Sequence, residues 1–310
     1  MKHLLLASLL LFAACGKKDP PKAPTPPPPE PAPTPVASAP EPAPPPAPPT
    51  PPEPPKPVIP EYTPAGDVPE AIRAAVTASD RDDRDRALDA GRKPAEVLAF
   101  FKIAPGQKVG ELFAGPGYTT EVLARVVGDT GKVYAQNTKE ILERFARKPL
   151  EERLAKPAMK NTVSVEQPTE TPFPPDVKNL DAVICVLNYH DYVWQKVDRA
   201  KMNKAVFAAL KPGGVYGIVD HSAKQGTGLG DVETLHRIDE DAVKKEILAA
   251  GFKLDGESDV LRNAEDPRDW NASPRAAAEK RGTSDRFTLR FVKPGGKAGK
   301  ATKPAKRGKR

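Results

Sequence analysis

The chain runs to 310 residues, 39 of them proline, and its 48 lysines and arginines exceed its 41 acids for a formal charge of +7. Two cysteines exclude a disulfide-stapled scaffold, and proline and positive charge crowd at opposite ends, leaving a central stretch long enough for one domain with a real core. Residues 293–310 hold eight of the basic side chains and no acid, so the rest of the chain is close to neutral, which argues against a basic nucleic-acid-binding fold.

Lys2 and His3 precede an apolar run from Leu4 to Ala14. Such a run is too short to span a bilayer as a mature helix and reads as a signal peptide. Its end, Phe12-Ala13-Ala14-Cys15-Gly16, resembles a bacterial lipobox with Phe12 in place of the usual leucine. The resemblance implies cleavage before Cys15 and lipidation of that cysteine, with Gly16 resembling the residue that sorts lipoproteins to the outer membrane. The expectation is a lipid-anchored envelope protein on the periplasmic side of the outer membrane, with residues 1–15 as its signal. Residues 16–65 follow as a tether. From Asp19 to Pro64 the chain carries 24 of the 39 prolines, a composition that forms no core. It favours polyproline II at ~3.1 Å per residue, a reach on the order of 100 Å.

The folded part spans residues 66–294. A helix over Val68 to Ala78 has Pro69 near its start. In SDRDDRDRALDAGRKPAEVLAFF the Asp/Arg pairs read as a solvated face, and Val97, Leu98, Phe100 and Phe101 as a helix packed on a sheet. Pro105-Gly106 turns the chain into a strand at Val109 to Phe113, which stops at the bare turn Ala114-Gly115-Pro116-Gly117. Val122, Leu123, Val126 and Val127 then mark one face of a helix closed by Gly128, whose N-terminus aims amide N–H groups at the turn. Val133 to Ala135 is a second strand leading to Gln136 and Asn137. Thr138 to Ala158 is charged and helical, Val163 to Val165 a third strand, and Leu180 to Leu187 a fully apolar fourth. A helix over Lys201 to Leu210, the turn Lys211-Pro212-Gly213-Gly214, a strand over Val215 to Val219, a helix HRIDEDAVKKEILAAGF ending at Gly251, and strands through Leu254 and over Arg286 to Val292 complete it. In an alternating α/β chain of this kind, ligands bind at the C-terminal edge of the strands.

The spacing Glu111, Gly115, Gly117 has Thr120 at the third glycine of the dinucleotide fingerprint, which disfavours NAD. The pattern E-x-x-x-G-x-G resembles motif I of the class I S-adenosylmethionine (SAM) dependent methyltransferases. LDAVICVL, LKPGG and the AAGF ending resemble later segments of that family, and the segments RKPAEVLAFF, VYAQN, YHD, HRID and SDRFTLRF resemble a bacterial group of predicted, often exported, methyltransferases. The resemblance implies a Rossmann-like α/β/α sandwich, three layers around a mostly parallel seven-stranded sheet closed by antiparallel sixth and seventh strands. It implies SAM as cofactor. Gly115 and Gly117, flanked by Ala114 and Tyr118, would cradle the methionine part, and Glu111 would orient its ammonium or the loop. Asn137 stands where an acid usually grips the ribose, and Gln167, counted back from Pro172-Phe173, would face adenine. Phe113 departs from the family at its first glycine, and Asn137 lacks the usual carboxylate.

The fourth strand delivers Asn188, Tyr189, His190 and Asp191 to the ligand edge, with Asn188 beside the cofactor and His190 and Asp191 as catalytic candidates. His221, after the fifth strand, is a third. Asp220 adds a ligand type that a metal would accept, but no metal spacing is recognisable and none is expected. Cys185 reads as a small core residue. The methyl acceptor would be a small molecule or an envelope component, and the alternative is a non-catalytic methyltransferase-fold lipoprotein that binds an envelope ligand. The basic residues 295–310 have no interleaved aromatics, so they would meet anionic surfaces without a specific nucleic-acid partner.

Overall fold

The computed structural model describes residues 59–295. The signal segment, Cys15, most of the tether and the basic tail lie outside the described residues. Three helices come first: α1 (Glu70–Thr77), α2 (Asp83–Arg92) and α3 (Pro94–Phe100). Pro69 caps α1, where its missing N–H would have had no partner anyway. Lys93, in left-handed conformation, separates α2 from α3, and Pro94 then starts α3. Beyond them run β1 (Lys108–Leu112), α4 (Tyr118–Val127), β2 (Lys132–Asn137), α5 (Lys139–Ile141), a π-helical turn (Leu142–Ala146), α6 (Arg147–Leu154) and β3 (Thr162–Glu166). The second half holds β4 (Leu180–Val186), α7 (Asp191–Trp194), α8 (Arg199–Ala209), β5 (Leu210–His221), α9 (Val232–Leu235), α10 (Glu240–Ala249), β6 (Lys253–Ser258) and β7 (Arg286–Val292).

The seven strands form one sheet in the order β3-β2-β1-β4-β5-β7-β6. The first five are parallel, and β7 runs antiparallel to both β5 and β6. β6 therefore points the same way as β5, and β7 alone is reversed, which corrects the expectation of two reversed strands. The cause is local. β7 slots between β5 and β6, so β6 is antiparallel only to its neighbour.

Alternation along the buried strands sorts the core into two layers. Ala182 and Ile184 of β4 join Val109, Val133 and Val219 against α1, α3 and α4. Val183 and Cys185 join Tyr216, Ile218, Phe287, Leu289 and Phe291 against α8 and α10. Each such fully buried large side chain contributes roughly 1.5–3 kcal/mol. Cys185 is thus the core residue expected, and burial pushes its thiol well above the usual range. Gly110 is glycine because a ring presses on it: a Cβ there would lie 2.4 Å from Cζ of Phe173, the aromatic that anchors the loop between β3 and β4.

Several boundaries differ from expectation. The LKPGG segment belongs to β5 itself, with a register shift against β4, because Gly213 donates to the Lys293 carbonyl and Lys293 to that of Gly214. Asp220 and His221 accordingly end β5 instead of following it. His236 to Asp239 are not helical: His236 ends α9, and the Asp239 carboxylate caps α10. The charged stretch before α3 is a solvated face only in part, with Asp83 and Arg84 exposed. Arg81, Asp85 and Asp89 are buried, with Arg81 paired bidentately to Asp89 at 2.6 and 3.0 Å and Asp85 bonded to Arg153. Arg81 and Asp89 pair within the stretch, whereas Arg153 and the Tyr118 hydroxyl reach Asp85 and Asp89 from distant sequence, which no local pattern reveals.

Candidate functional site at the sheet edge

The ends of β1, β2, β4 and β5 meet at one edge. After Leu112 the chain enters left-handed backbone at Phe113 (φ 53°), Gly115 (φ 56°) and Gly117 (φ 90°), the last being the N-cap of α4. Glycine suits that geometry and phenylalanine does not, so Phe113 is strained. The end of β2 braces the turn. Ala114 N–H donates to the Gln136 carbonyl (2.8 Å), Phe113 N–H to Gln136 Oε1 (3.1 Å) and Gly115 N–H to Asn137 Oδ1 (2.8 Å). Asn137 Nδ2 donates back to the Gly115 carbonyl at 3.3 Å, and the residue is fully buried. Asn137 therefore clamps the turn with both ends of its amide. On the outer side Arg153 donates to the Pro116 carbonyl at 2.8 Å. Around a Cβ added at Gly115 there is nothing within 4 Å, whereas one at Gly117 would lie 2.9 Å from Arg153 Cδ. The open position of the turn is Gly115.

Glu111, 3 % exposed, accepts a hydrogen bond from Thr120 Oγ1 beneath the first turn of α4. Burial raises its carboxyl to about 7, against the pull of the threonine hydroxyls and of Arg153 and Arg92. Tyr118 donates to Asp89 Oδ1 at 2.6 Å, and the Arg92 guanidinium lies 4.4 Å from the centre of its ring. Arg92 has no acidic partner among the described residues, and burial lowers its basicity. Arg286 is buried where Arg92 is half-buried, donates to the carbonyls of Gly91, Gly282 and Ser284, and is lowered to about 10 by burial and by Arg92. Both arginines line a narrow, mostly apolar cleft with Tyr118, Thr119, Leu187 and Val219. The cleft has an empty volume of about 360 Å³, part of it open to solvent. Neither arginine was a sequence candidate. The signal was only that RKP and SDRF hold an arginine beside a helix or strand end.

Gln167, half-buried after β3, leaves its side-chain amide without a hydrogen bond among the described residues, while its backbone bonds Asn137 and Gln136. Asn188 donates to the Val186 carbonyl at 2.7 Å and reaches that of Phe113 at 3.5 Å. The Phe113 ring packs toward Tyr192, centroids 6.5 Å apart, and against the small cluster of Ile141, Leu142, Ala146 and Leu150.

At the tips of β4 and β5 all three histidines of the described residues converge. His190 Nδ1 lies 2.7 Å from Asp220 Oδ1, and its backbone N–H donates to Asp220 Oδ2 at 2.7 Å. His190 Nε2 is 3.3 Å from Asp191 Oδ1, and His236 Nε2 is 3.9 Å from the same oxygen. The His190 ring centre is 5.7 Å from that of His221 and 5.2 Å from that of His236. Burial opposes the charge on His190, but Asp220 and Asp191 outweigh it and hold the imidazolium to about 10. His221, bonded through Nδ1 to Ser284 Oγ at 2.7 Å, is pushed well below its usual value by burial and then by His190, Arg286 and Arg237. The sequence placed His190, Asp191 and His221 at this edge. It missed His236, which had been read into a helix.

The strands run in the order 3-2-1-4-5-7-6 with β7 alone reversed, and a glycine turn leaves β1 opposite the end of β2. The fold is that of the class I methyltransferases. No family model matches the chain. It is similar over 65 residues, at 37 % identity, to a protein-L-isoaspartate O-methyltransferase of Methanosarcina mazei, a match spanning 21 % of this chain and 27 % of that relative. Among solved structures it is similar to a SAM-dependent methyltransferase from Aquifex aeolicus, with a TM-score of 0.46 and 18 % identity over 64 % of this chain and 88 % of that one. It is also similar to Aeropyrum pernix fibrillarin in complex with SAM, with a TM-score of 0.45 and 14 % identity over 66 % and 76 %.

Proposed function

We propose that this domain binds SAM at the glycine turn and transfers its methyl group to a small molecule or envelope component. The observation that carries the reading is the turn itself: an unobstructed Gly115, braced by Asn137, above a buried acid and beside a guanidinium with no acidic partner among the described residues. When bound, SAM would supply an electrophilic methyl on a sulfonium, open to in-line attack by an acceptor with S-adenosylhomocysteine as the leaving group. The chain's own residues orient and dry that reaction. Glu111 would meet the ammonium of the amino-acid end, Arg92 its carboxylate, and the free amide of Gln167 the adenine edge. Asn137 acts at one remove by holding the turn. Val186, Leu187 and Val219 form the apolar wall that excludes water. His190 and Asp191 follow β4 and His221 ends β5, so an acceptor entering at this edge arrives beside imidazole and carboxylate groups able to bind it and carry its proton.

Calorimetry of the full chain with SAM and with S-adenosylhomocysteine tests the reading. Micromolar binding that Gly115→Arg abolishes is expected. No heat at millimolar ligand overturns it. We further propose that Cys15 is lipidated and the domain tethered to the envelope, with the basic tail meeting anionic surfaces, supported by the apolar run ending in Ala13-Ala14-Cys15-Gly16 and by the eight basic residues of 293–310. Labelled palmitate incorporated by the parent and retained by Cys15→Ala would contradict the anchor.

A further inference from the structure

The three histidines of the described residues come from separate elements, yet they share one corner. His236 sits in left-handed backbone (φ 51°) as the C-cap of α9, a conformation that histidine, like Asn and Asp, adopts more readily than most side chains. Its ring makes no hydrogen bond among the described residues, and its Nδ1 is buried without a partner. Its other nitrogen, Nε2, faces Asp191 Oδ1 at 3.9 Å, beyond hydrogen-bond reach, and its ring stands 5.2 Å from that of His190.

His190 is set up in the complementary way. Asp220, fully buried, bonds Nδ1 of the ring and the backbone N–H of the same residue, and also accepts from His221 N–H at 2.8 Å. That arrangement fixes the ring and turns Nε2 toward Asp191. A carboxylate on one ring nitrogen that leaves the other free is how proteins orient histidine ligands. The remaining geometry is that of a ligand set. His190 Nε2 and His236 Nε2 lie 3.3 and 3.9 Å from Asp191 Oδ1. One donor atom from each of the three residues falls within 4.8 Å of the others. Ligand atoms around a four-coordinate ion with bonds of ~2.0–2.1 Å stand about 3.3 Å apart, so closure requires shifts of an ångström or so at the widest edge. Asp191 is steadied by Trp194 Nε1, which donates to Oδ1 at 2.9 Å. With side chains 16 % and 28 % exposed, Asp191 and His236 leave the corner open to solvent on one side, where further ligands could enter.

We infer that His190, Asp191 and His236 form a binding site for a divalent transition ion, oriented by Asp220. Two imidazoles and one carboxylate favour a borderline ion such as Zn²⁺ over Mg²⁺ or Ca²⁺, which prefer all-oxygen sites. With three protein ligands, a fourth position stays open to water or to a donor atom of a ligand at the sheet edge. The ion would then carry, at the tip of β4, the positive charge that a histidine otherwise supplies. The inference stands apart from methyl transfer, because it rests on the three side chains alone.

The full chain, stripped with chelator, is dialysed against Zn²⁺ and assayed for bound metal, and Co²⁺ is loaded in parallel for its visible bands. One equivalent of Zn²⁺ per chain is expected. His236→Asn, which suits the left-handed backbone and keeps the fold, should weaken binding at least a hundredfold, and so should Asp191→Asn, which preserves the Trp194 bond. Asp220→Asn should cost about 10- to 100-fold, and Asp241→Asn, elsewhere on the surface, nothing. The Co²⁺ bands should vanish in both ligand variants. Absence of stoichiometric binding by the parent, or equal binding by the parent and by folded His236→Asn and Asp191→Asn, overturns the site.

Discussion

Glu111→Gln probes the buried acid beneath the glycine turn. The carboxyl is 3 % exposed and raised from 4.5 to about 7, so the folded chain holds its proton more tightly than the unfolded chain does. Its contribution is therefore intact below the unfolded value, declines as pH rises toward 7, and is flat above. A shift of about 2.5 units at 1.36 kcal/mol per unit corresponds to roughly 3 kcal/mol lost between pH 4.5 and pH 8. Glutamine keeps an acceptor for Thr120 and has no charge to bury, so the variant should escape that loss. Urea unfolding of parent and variant at pH 5 and pH 8 checks it: similar stability at pH 5, with the variant ahead by roughly 3 kcal/mol at pH 8. The same titration should reach the ligand. If the ionised carboxylate meets the ammonium of SAM, it is about one-tenth ionised at pH 6 and nine-tenths at pH 8, so affinity should rise about tenfold across that range and lose this dependence in Glu111→Gln. A stability gap that stays constant from pH 5 to pH 8 would refute the reasoning, whatever the binding result.

Phe113→Gly relieves left-handed strain of roughly 1–2 kcal/mol at the cost of ring packing, and it opens the turn, so SAM should bind more tightly by calorimetry while stability changes little. Arg92→Met keeps the stem over Tyr118 and removes the unpaired charge; SAM affinity should fall at least tenfold while the melting temperature holds or rises. Arg81→Met strands Asp89 in a buried site, and denaturant unfolding should show a loss of roughly 3–5 kcal/mol. Gly110→Ala drives a methyl into the Phe173 ring and should destabilise the fold by roughly 1–3 kcal/mol, again by unfolding.

The order of elements was legible because each was written in local chemistry. The glycine turn after Val109 to Phe113, the apolar face of α4 and the strand Arg286 to Val292 all stand where the residues put them. What was not legible depends on partners far along the chain. Asp85 and Asp89 look like a helix surface until Arg153 and Tyr118 are brought against them from beyond β1 and β2. His236 looks helical until its left-handed backbone ends α9 and leaves Arg237 free to pair, fully buried, with Asp266. Asn137 matched a ligand position by count, but its amide turned inward because Gly115 offers both a donor and an acceptor within reach.

Those buried charges also indicate where a ligand belongs. Away from the sheet edge the buried ions come in pairs: Arg81 with Asp89, Arg153 with Asp85 and Glu121, Arg237 with Asp266. A buried charge without a partner costs several kcal/mol, so a chain that pairs its ions this thoroughly has reason to pair the rest. Glu111, buried under the turn with a hydroxyl as its partner, and Arg92, half-buried over Tyr118 with no acidic partner among the described residues, both stand beside the glycine turn. Their signs differ, which a simple anion pocket would not require. Under the proposed function the acid would meet an ammonium and the guanidinium a carboxylate, which together are the complement of a zwitterion. The same set accounts for why local sequence rules fail at this edge and hold along the strands that lead to it.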